Sequence, residues 1–400
     1  MTLTDLHTDY AGRKGPLFWL AVRTALLTIL TLGFYRFWMK TRLRRYYWSA
    51  IRPGNVPLEY LGTPWEKLLG FLFAVVILAF YIGIVNLILM YFSFTLFQTN
   101  FVAYALSFLG VLPLIFFAQY RARRYILART RWRGIRFGLE PGAWGYAWRA
   151  ALHWLATILT GGLLWPRKAF WLEKYRIDRT LYGDQKFTQG GRWTMLIGAF
   201  KHVYIGGLVT AAAIGAGMWF EQPGFFAILP ISVLWLVIGM AYWQAHSFRL
   251  LAEAKTINDT SFESNPRTGR VIGIYVGGYV LTWLVVVLAG ALVGAVIGGM
   301  VAVLSGAGSL QEFLFGVDAS TARSLPSWAI PVLSVLSYFA VFLIWGAASQ
   351  SFVKLPMARH FSENTRLTNP AALTGVTQRR RDEFTEAEGF ADALDVGAAL

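Results

Sequence analysis

Two hexapeptides show how this chain is organised: Thr28-Ile29-Leu30-Thr31-Leu32-Gly33 and Thr157-Ile158-Leu159-Thr160-Gly161-Gly162. They agree at five of six positions. Each lies within an apolar stretch, residues 17–39 or 144–165, and each is followed by a basic, aromatic segment. The recurrence predicts two copies of one module, and the remaining apolar sequence can be arranged around them as hairpins.

The composition is that of a membrane protein. The chain has 400 residues, of which 56% are apolar and 14% are charged, whereas a soluble domain has about a quarter charged residues. Outside the modules, six apolar runs are long enough to cross a hydrocarbon core of roughly 30 Å. These runs are residues 68–92, 101–119, 193–220, 225–244, 271–304 and 328–348. We therefore predict an all-α fold: a polytopic α-helical membrane protein with about six to eight transmembrane or re-entrant helices and internal repeats.

The net charge of +16 is unevenly distributed and predicts the topology. Lys and Arg concentrate in five segments and are almost absent from the loops 93–100, 221–224 and 305–326. The basic segments are residues 36–52, 120–137, 167–192, 249–270 and 354–381. The positive-inside rule places these segments, and both termini, in the cytoplasm.

The same rule creates a conflict at the modules. Both flanks of 144–165 are basic, so a single crossing would put one flank on the wrong side. We therefore predict that 144–165, and by repetition 17–39, are re-entrant or in-plane elements, which gives six crossings. The alternative is eight plain crossings, in which each module spans the membrane with a snorkelling arginine.

These observations divide the chain into five parts. We expect a polar N-terminal segment at 1–15, a repeat unit of module plus hairpin at 16–136, and a second such unit at 137–270. A third hairpin at 271–366 has lost or altered its module. Residues 367–400 are predicted to be a disordered cytoplasmic tail.

Arg23, Arg149 and His153 are the ionisable groups within the module stretches. Ionisable residues at membrane depth commonly mark a pathway, so they are candidates for a polar path or a site for an anionic headgroup. The alternative is that they snorkel to the interface.

Two further sets of residues suggest membrane contacts. Gly290, Gly294 and Gly298 recur at a spacing of four, which is typical of a helix-packing face within one chain or in a homo-oligomer. Basic residues alternate with aromatic ones in two arms that we expect to face anionic lipid headgroups. They are Arg42, Arg44, Arg45, Arg121, Arg123 and Arg124. RNA stacking is the other use of such a pattern, but beside membrane spans we expect lipid and no nucleic acid.

The sequence carries no enzyme signature. It has no cysteine, and its five histidines show no metal-ligand spacing. It contains no HExxH, GxSxG or Walker motif. We predict no catalytic residue, no metal and no cofactor, and hence a protein that is not an enzyme.

The first module resembles the YjgN-like family of bacterial inner-membrane proteins, whose members have no assigned function. The resemblance covers most of residues 12–365 and is less specific at the second module, where Leu164 and Arg167 replace Tyr35 and Trp38. It implies a location in the bacterial inner membrane, and it supplies no activity, substrate or cofactor. The matching residues are the first hexapeptide, Tyr35, Trp38, the run Arg42, Arg44, Arg45 and Tyr46, and Glu59-Tyr60-Leu61-Gly62-Thr63.

Two functions remain open. The first is transport of a small, anionic solute along a path lined by Arg23, Arg149 and His153. The second is a non-transporting membrane protein that organises lipid or partner proteins through its basic arms. A continuous polar cavity between the hairpins would favour the first, and a tightly packed interior with the charged groups turned to the leaflet surface would favour the second.

Overall fold

The computed structural model describes residues 5–99, 101–305 and 329–379. The predicted loop at 305–326 and the tail beyond 379 therefore lie almost wholly outside the described residues. In chain order the helices are α1 (Lys14–Leu30), α2 (Arg36–Ala50), α3 (Pro64–Phe80), α4 (Asn86–Phe97), α5 (Phe101–Ala128), α6 (Ala143–Leu159), α7 (Trp165–Ile177), α8 (Ile197–Trp219), α9 (Leu229–Glu253), α10 (Thr268–Ser305), α11 (Ala329–Ser349) and α12 (Leu355–Glu363).

The described residues also form ten strands, all short. They are β1 (Leu6–Tyr10), β2 (Ile51–Pro53), β3 (Glu59–Tyr60), β4 (Thr130–Trp132), β5 (Ile135–Leu139), β6 (Thr180–Tyr182), β7 (Gln185–Gln189), β8 (Lys255–Ile257), β9 (Thr260–Ser264) and β10 (Thr365–Thr368). They join in one antiparallel sheet with the order β2-β1-β10-β9-β8-β7-β6-β5-β4-β3. The sheet curls, because its two edge strands are consecutive in the chain and the N–H of Leu58 donates to the carbonyl of Ile51 at 3.0 Å.

The prediction of a helical fold is confirmed, but the all-α prediction is not, because it omits this sheet. Each strand has only two to five residues, and all strands except β1 and β3 overlap a basic segment. Strands of this length are too short to show an alternating hydrophobic pattern. In addition, most hairpins pair with hairpins from other parts of the chain, and only the tertiary structure shows this pairing. The basic segments read as cytoplasmic arms thus contain most of the sheet.

The order of the elements recurs along the described chain. Two helical segments are followed by two strands, and α1–α2 with β2–β3 is the first such set. In the last set only β10 follows the helices, and β1 from the N-terminus pairs with it, Leu6 opposite Leu367. The helices α5, α9 and α12 each end two residues before a strand.

Five segments of the described chain are helical, long and apolar enough to cross a membrane: Phe101–Ala128, Trp193–Trp219, Pro223–Glu253, Thr268–Val296 and Ser337–Glu363. They match five of the six predicted crossings. The sixth, 68–92, lies in α3 and α4, which are joined by a π-helical turn at Tyr81–Val85; here Gly83–Phe97 is a shorter apolar helix. Neither module segment belongs to this group.

The chain divides into two compact units. The first consists of Met1–Ala11, Lys40–Ile272 and Arg359–Leu400, and it contains the sheet. The second consists of Gly12–Met39 and Gly273–Ala358. Within the second unit α10 approaches the turn at Gln350–Lys354 closely, because a Cβ at Gly278 would lie 2.5 Å from the carbonyl oxygen of Phe352.

Residues at both chain ends are more ordered than the sequence predicted. Residues 6–10 form β1, although 1–15 was expected only to be polar. Leu367 lies in β10, and Leu373 and Val376 are buried in the core of the sheet, although 367–400 was expected to be a disordered tail. The reason is the sheet itself, because it offers these apolar side chains an interior that composition alone does not reveal.

Candidate functional site

The curled sheet of the first unit encloses a cavity of about 410 Å³, which we term the chamber. Its inner face follows from strand alternation: in β8 the side chain of Ile257 is buried while that of Thr256 is exposed. Aromatic side chains dominate this wall, and the ends of three helices close it through Leu127, Ile177 and Leu251. The aromatic residues are Trp132, Phe137, Tyr182, Phe187, Phe248 and Phe262.

Two of the aromatic side chains in the wall carry a polar group. The hydroxyl of Tyr182 donates to the carbonyl oxygen of Trp132 at 3.2 Å. Burial raises the pKa of Tyr182 to about 12, so the phenol stays neutral. The indole N–H of Trp132 is buried and has no acceptor among the described residues. It is therefore available to donate to a bound ligand.

The chamber also has one charged corner, formed by Glu173 of α7 and Lys255 of β8. Oε2 of Glu173 lies 2.7 Å from Nη2 of Arg176. Its Oε1 lies 3.8 Å from Nη2 of Arg123 and 3.9 Å from Nζ of Lys255. We term these four residues the Glu173 cluster. It holds three cationic groups against one carboxylate.

Electrostatics keeps the cluster charged. Burial alone would raise the pKa of Glu173, but attraction by Arg176, Arg123 and Lys255 outweighs it and lowers the pKa to about 2. Burial lowers the pKa of Lys255 below its usual range, and Glu173 opposes that effect. The side chains of Glu173 and Lys255 keep 17% and 23% of their surface accessible, and both line the chamber. An anion entering there would meet excess positive charge.

The predicted pathway residues lie away from the chamber wall. Arg149 is exposed on α6, where its Nη1 donates to the carbonyl of Gly145 at 2.9 Å and its guanidinium lies 5.0 Å from the ring centre of Tyr175. His153 follows one turn later on α6 and is half-buried. Arg23 is exposed on α1, in the second unit. The structure therefore brings Arg149 and His153 onto one helix.

The predicted basic arms are not one lipid-facing set. Arg44 and Arg124 are only 5% and 8% exposed, so they cannot reach lipid headgroups. Arg44 donates to the hydroxyl of Tyr60 at 3.2 Å, and Arg123 belongs to the Glu173 cluster. The sheet causes the difference, because it covers the faces of α2 and α5 on which these arginines lie.

The other arm residues keep more contact with solvent. Arg42 and Arg45 are exposed on α2, and Arg45 donates to the carbonyl of Gly62 at 3.0 Å. The guanidinium of Arg121 lies 5.4 Å from the ring centre of Phe117. These three positions remain candidates for lipid contact.

The glycine series lies on α10. Among the described residues, nothing is within 4 Å of the point that a Cβ would occupy at Gly290 or Gly294. Gly298 lies on the same helix. A packing role for this face, within the chain or between copies, stays a prediction. Close helix approach occurs instead at Gly239 of α9, where a Cβ would lie 3.1 Å from the backbone of His202 on α8.

Sequence reasoning missed the Glu173 cluster and the chamber. Its members come from α5, α7 and β8, up to 132 positions apart in the chain (123 to 255), so no spacing motif connects them. One signal was present: Glu173 is an acidic residue flanked by basic ones in segment 167–192. A carboxylate in such a segment is a candidate for burial with its counter-ions.

The apolar helices and the sheet formed from the basic segments define the class: a helical membrane protein that carries a β-sheet domain. A family model described as a bacterial protein of unknown function, DUF898, matches residues 5–288. The chain belongs to this family.

The chain is also similar to the inner membrane protein YjgN of Salmonella typhimurium, with 29% identity over 141 residues. That match covers 34% of this chain and 33% of the relative. It confirms the YjgN-like resemblance. No solved structure matches the chain.

Proposed function

We propose that this protein is a bacterial inner-membrane protein that binds a small amphipathic anion in the chamber and transports it. The chamber carries the proposal. Its volume of about 410 Å³ falls in the range of ligand pockets. Its wall is mostly apolar and its two charged residues lie at one corner, which favours a ligand with an apolar chain and a single charged end.

The charge of that corner favours an anionic end. Glu173 neutralises one of the three cations of its cluster, and Lys255 is the cation that lines the chamber. Lys255 is 3.9 Å from the nearest carboxylate oxygen, which is longer than a hydrogen bond, so its ammonium can bind a ligand without breaking one. The buried N–H of Trp132 offers a further donor.

Charge distribution supports a cytoplasmic position for the sheet. The basic segments contain most of its strands, and the positive-inside rule places such segments in the cytoplasm. β1 pairs with β10, so the strands nearest to the two termini lie on one side of the membrane. The relative named above is an inner membrane protein, and its name supports the same location for this chain.

The modules support a membrane-surface role. The α6–α7 hairpin is flanked by β5 and β6, which pair directly, Gly138 opposite Leu181. Leu159 and Leu163, at its tip, are 77% and 62% exposed and suit an apolar medium. Arg149 and His153 would then meet lipid headgroups beside the hairpin.

The second candidate is a non-transporting protein that organises lipid or partner proteins. The exposed Arg42 and Arg45 and the half-buried Arg121 favour it, because basic side chains next to a bilayer attract anionic lipid. The burial of Arg44 and Arg124 weakens it. Bound ligand without transport would be consistent with this candidate.

Binding is tested with radiolabelled decanesulfonate, a permanently anionic chain, on the purified protein in lipid nanodiscs. We expect saturable binding that Ile257→Trp abolishes by filling the chamber. Thr256→Trp, on the exposed face of the same strand, is the matched control and should bind normally. Lys255→Met should weaken decanesulfonate binding at least about tenfold, a loss of about 1.4 kcal/mol, and leave binding of neutral decanol unchanged.

Transport is tested with the same anion in proteoliposomes. Uptake that saturates and is lost in Ile257→Trp supports the proposed transport. Saturable binding with no uptake would replace transport by the second candidate. Unsaturable binding would overturn the chamber as the site. So would normal binding by Ile257→Trp, provided that this variant retains its melting temperature.

A further inference from the structure

A second cavity lies outside the sheet, where the C-terminal segment meets it. Its volume is about 250 Å³, and four arginines and one carboxylate line it. The charged residues are Glu66, Arg124, Arg129, Arg136 and Arg379. We term it the arginine pocket. It shares Phe137 with the chamber wall, but its charged residues are different.

The one carboxylate is already engaged. Oε2 of Glu66 accepts from the hydroxyl of Tyr125 at 2.8 Å and from Nε of Arg129 at 3.0 Å. Arg129 is only 6% exposed, and its Nη2 is buried with no acceptor among the described residues. A buried guanidinium N–H without an acceptor is costly unless a ligand or water satisfies it. This is an independent sign of an anion position.

Two more guanidinium groups lack a carboxylate. Within the part of the chain that the structure describes, neither Arg136 nor Arg379 forms an ion pair. Their charge is therefore not compensated by Glu66. Glycine makes room for one of them, because a Cβ at Gly138 would lie 3.3 Å from Nη2 of Arg379.

The C-terminal segment is positioned by the sheet. Asp184 accepts from the N–H and the hydroxyl of Thr377, both at 3.0 Å, and its own N–H donates to the carbonyl of Thr377. The N–H of Arg136 donates to Oε1 of Gln378 at 2.9 Å. Gly183, with φ of +58°, allows this approach, since a Cβ would lie 2.3 Å from the carbonyl oxygen of Thr377.

We propose that the arginine pocket binds a phosphate group, and that the bound phosphate holds residues 376–379 against the sheet. Guanidinium groups bind phosphate oxygens in a bidentate manner, and the excess of positive charge from Arg136 and Arg379 suits a dianion. Because Val376 is part of the core inside the sheet, binding at the pocket also holds this segment to that core. The site goes beyond the proposed function, and its test does not depend on it.

Phosphate binding is tested by calorimetry and melting of the full-length protein in nanodiscs of neutral lipid, at constant ionic strength. We expect inorganic phosphate to bind saturably and to raise the melting temperature, and chloride to do neither. The double variant Arg136→Gln with Arg379→Gln should bind at least tenfold more weakly. Arg133→Gln, at the tip of the same β4–β5 hairpin but outside the pocket, should bind like the native protein.

Two further arms identify the source of the phosphate and the response of the segment. Glycerol 3-phosphate is compared with nanodiscs that contain phosphatidic acid: competition by the first supports a soluble phosphomonoester, and a shift only in the second supports a lipid headgroup. Amide exchange at residues 375–379 should slow on binding. Unsaturable binding, or binding that the double variant leaves unchanged, would overturn the site, and unchanged amide exchange would overturn the coupling.

Discussion

At the scale of the residue, the two hexapeptides are the same helix ending. The N–H of Gly33 donates to the carbonyl of Thr28 at 2.7 Å, and that of Gly162 donates to Thr157 at 2.7 Å. Such a hydrogen bond, from an N–H to the carbonyl five residues earlier, ends a helix when the residue before the donor has a left-handed backbone conformation. Leu32 has φ of +51° and Gly161, its counterpart, has φ of +56°. The one position at which the hexapeptides differ therefore has the same conformation in both.

Leu32 should be strained and Gly161 should not. A side chain in the left-handed region costs about 1 kcal/mol. We expect Leu32→Gly to raise the free energy of unfolding by about that amount and Gly161→Leu to lower it equally, measured by SDS titration in mixed micelles. Leu32→Ala is the control, because it removes the side chain but keeps a Cβ. A gain in Leu32→Ala equal to that in Leu32→Gly would contradict the role of backbone conformation.

The Glu173 cluster makes stability depend on pH. The three neighbouring cations lower the pKa of Glu173 from its ordinary value of 4.5 to about 2 in the folded protein. Its contribution is present above pH 4.5 and is lost as the pH falls toward 2. The charged groups around Glu173 are Arg123, Arg176 and Lys255, and they stay protonated throughout this range.

Glu173→Gln should lower the melting temperature at pH 7, because it leaves three cations without their carboxylate; breaking a buried pair costs about 3–5 kcal/mol. Between pH 4.5 and 3 the melting temperature of the native protein should fall further than that of the variant. Adding Lys255→Met to Glu173→Gln should restore part of the loss at pH 7. Parallel pH profiles for the native protein and Glu173→Gln would contradict the assignment.

At the scale of the element, the second module is a helical hairpin. The helix α6 ends at Leu159, the hexapeptide turns the chain, and α7 begins at Trp165. Lys168 of α7 joins the two arms, with Nζ 3.4 Å and 3.2 Å from the ring centres of Trp154 and Trp165. A hairpin that leaves one strand and returns to its neighbour cannot be a single crossing.

Single cysteines test this path in a chain that has none of its own. Pro141 lies just before the hairpin, and Thr188 lies in β7, the second strand after it. Pro141→Cys and Thr188→Cys should both react with an impermeant thiol reagent from the cytoplasmic side only. Leu163→Cys, at the tip, should be protected from that reagent and react with a lipid-soluble maleimide.

Gly224→Cys, between α8 and α9, is the control and should react from the opposite side. Labelling of Pro141→Cys and Thr188→Cys from opposite sides would contradict the hairpin, because it would require β5 and β6 to separate.

At the scale of the whole molecule, the sheet organises the first unit. It draws its strands from six parts of the chain and pairs the N-terminal strand with the C-terminal one. Ten short strands in one curled sheet have an interior, and that interior is the chamber. The apolar helices and the basic segments thus differ in structure: the helices suit a bilayer, and the basic segments contribute most strands of the sheet.

The sequence by itself determined the features that depend on local composition. Long apolar runs predicted the helices, and the repeated hexapeptide predicted two like modules, since a helix ending is set by a few neighbouring residues. Basic flanks favoured a re-entrant or in-plane element over a single crossing at 144–165. Arg149 and His153 were recognised as ionisable groups in an apolar stretch, which composition is enough to show.

Only the tertiary structure decided which distant residues meet. The sheet was not predictable, because strands of two to five residues gain their stability from pairing with other parts of the chain. The same is true of the chamber, the Glu173 cluster and the arginine pocket. The sequence predicted that Arg123 faces lipid as part of a basic arm. In the structure its Nη2 lies 3.8 Å from Oε1 of Glu173, which is 50 positions later in the chain. Burial and charge pairing depend on the fold, and a linear pattern records neither.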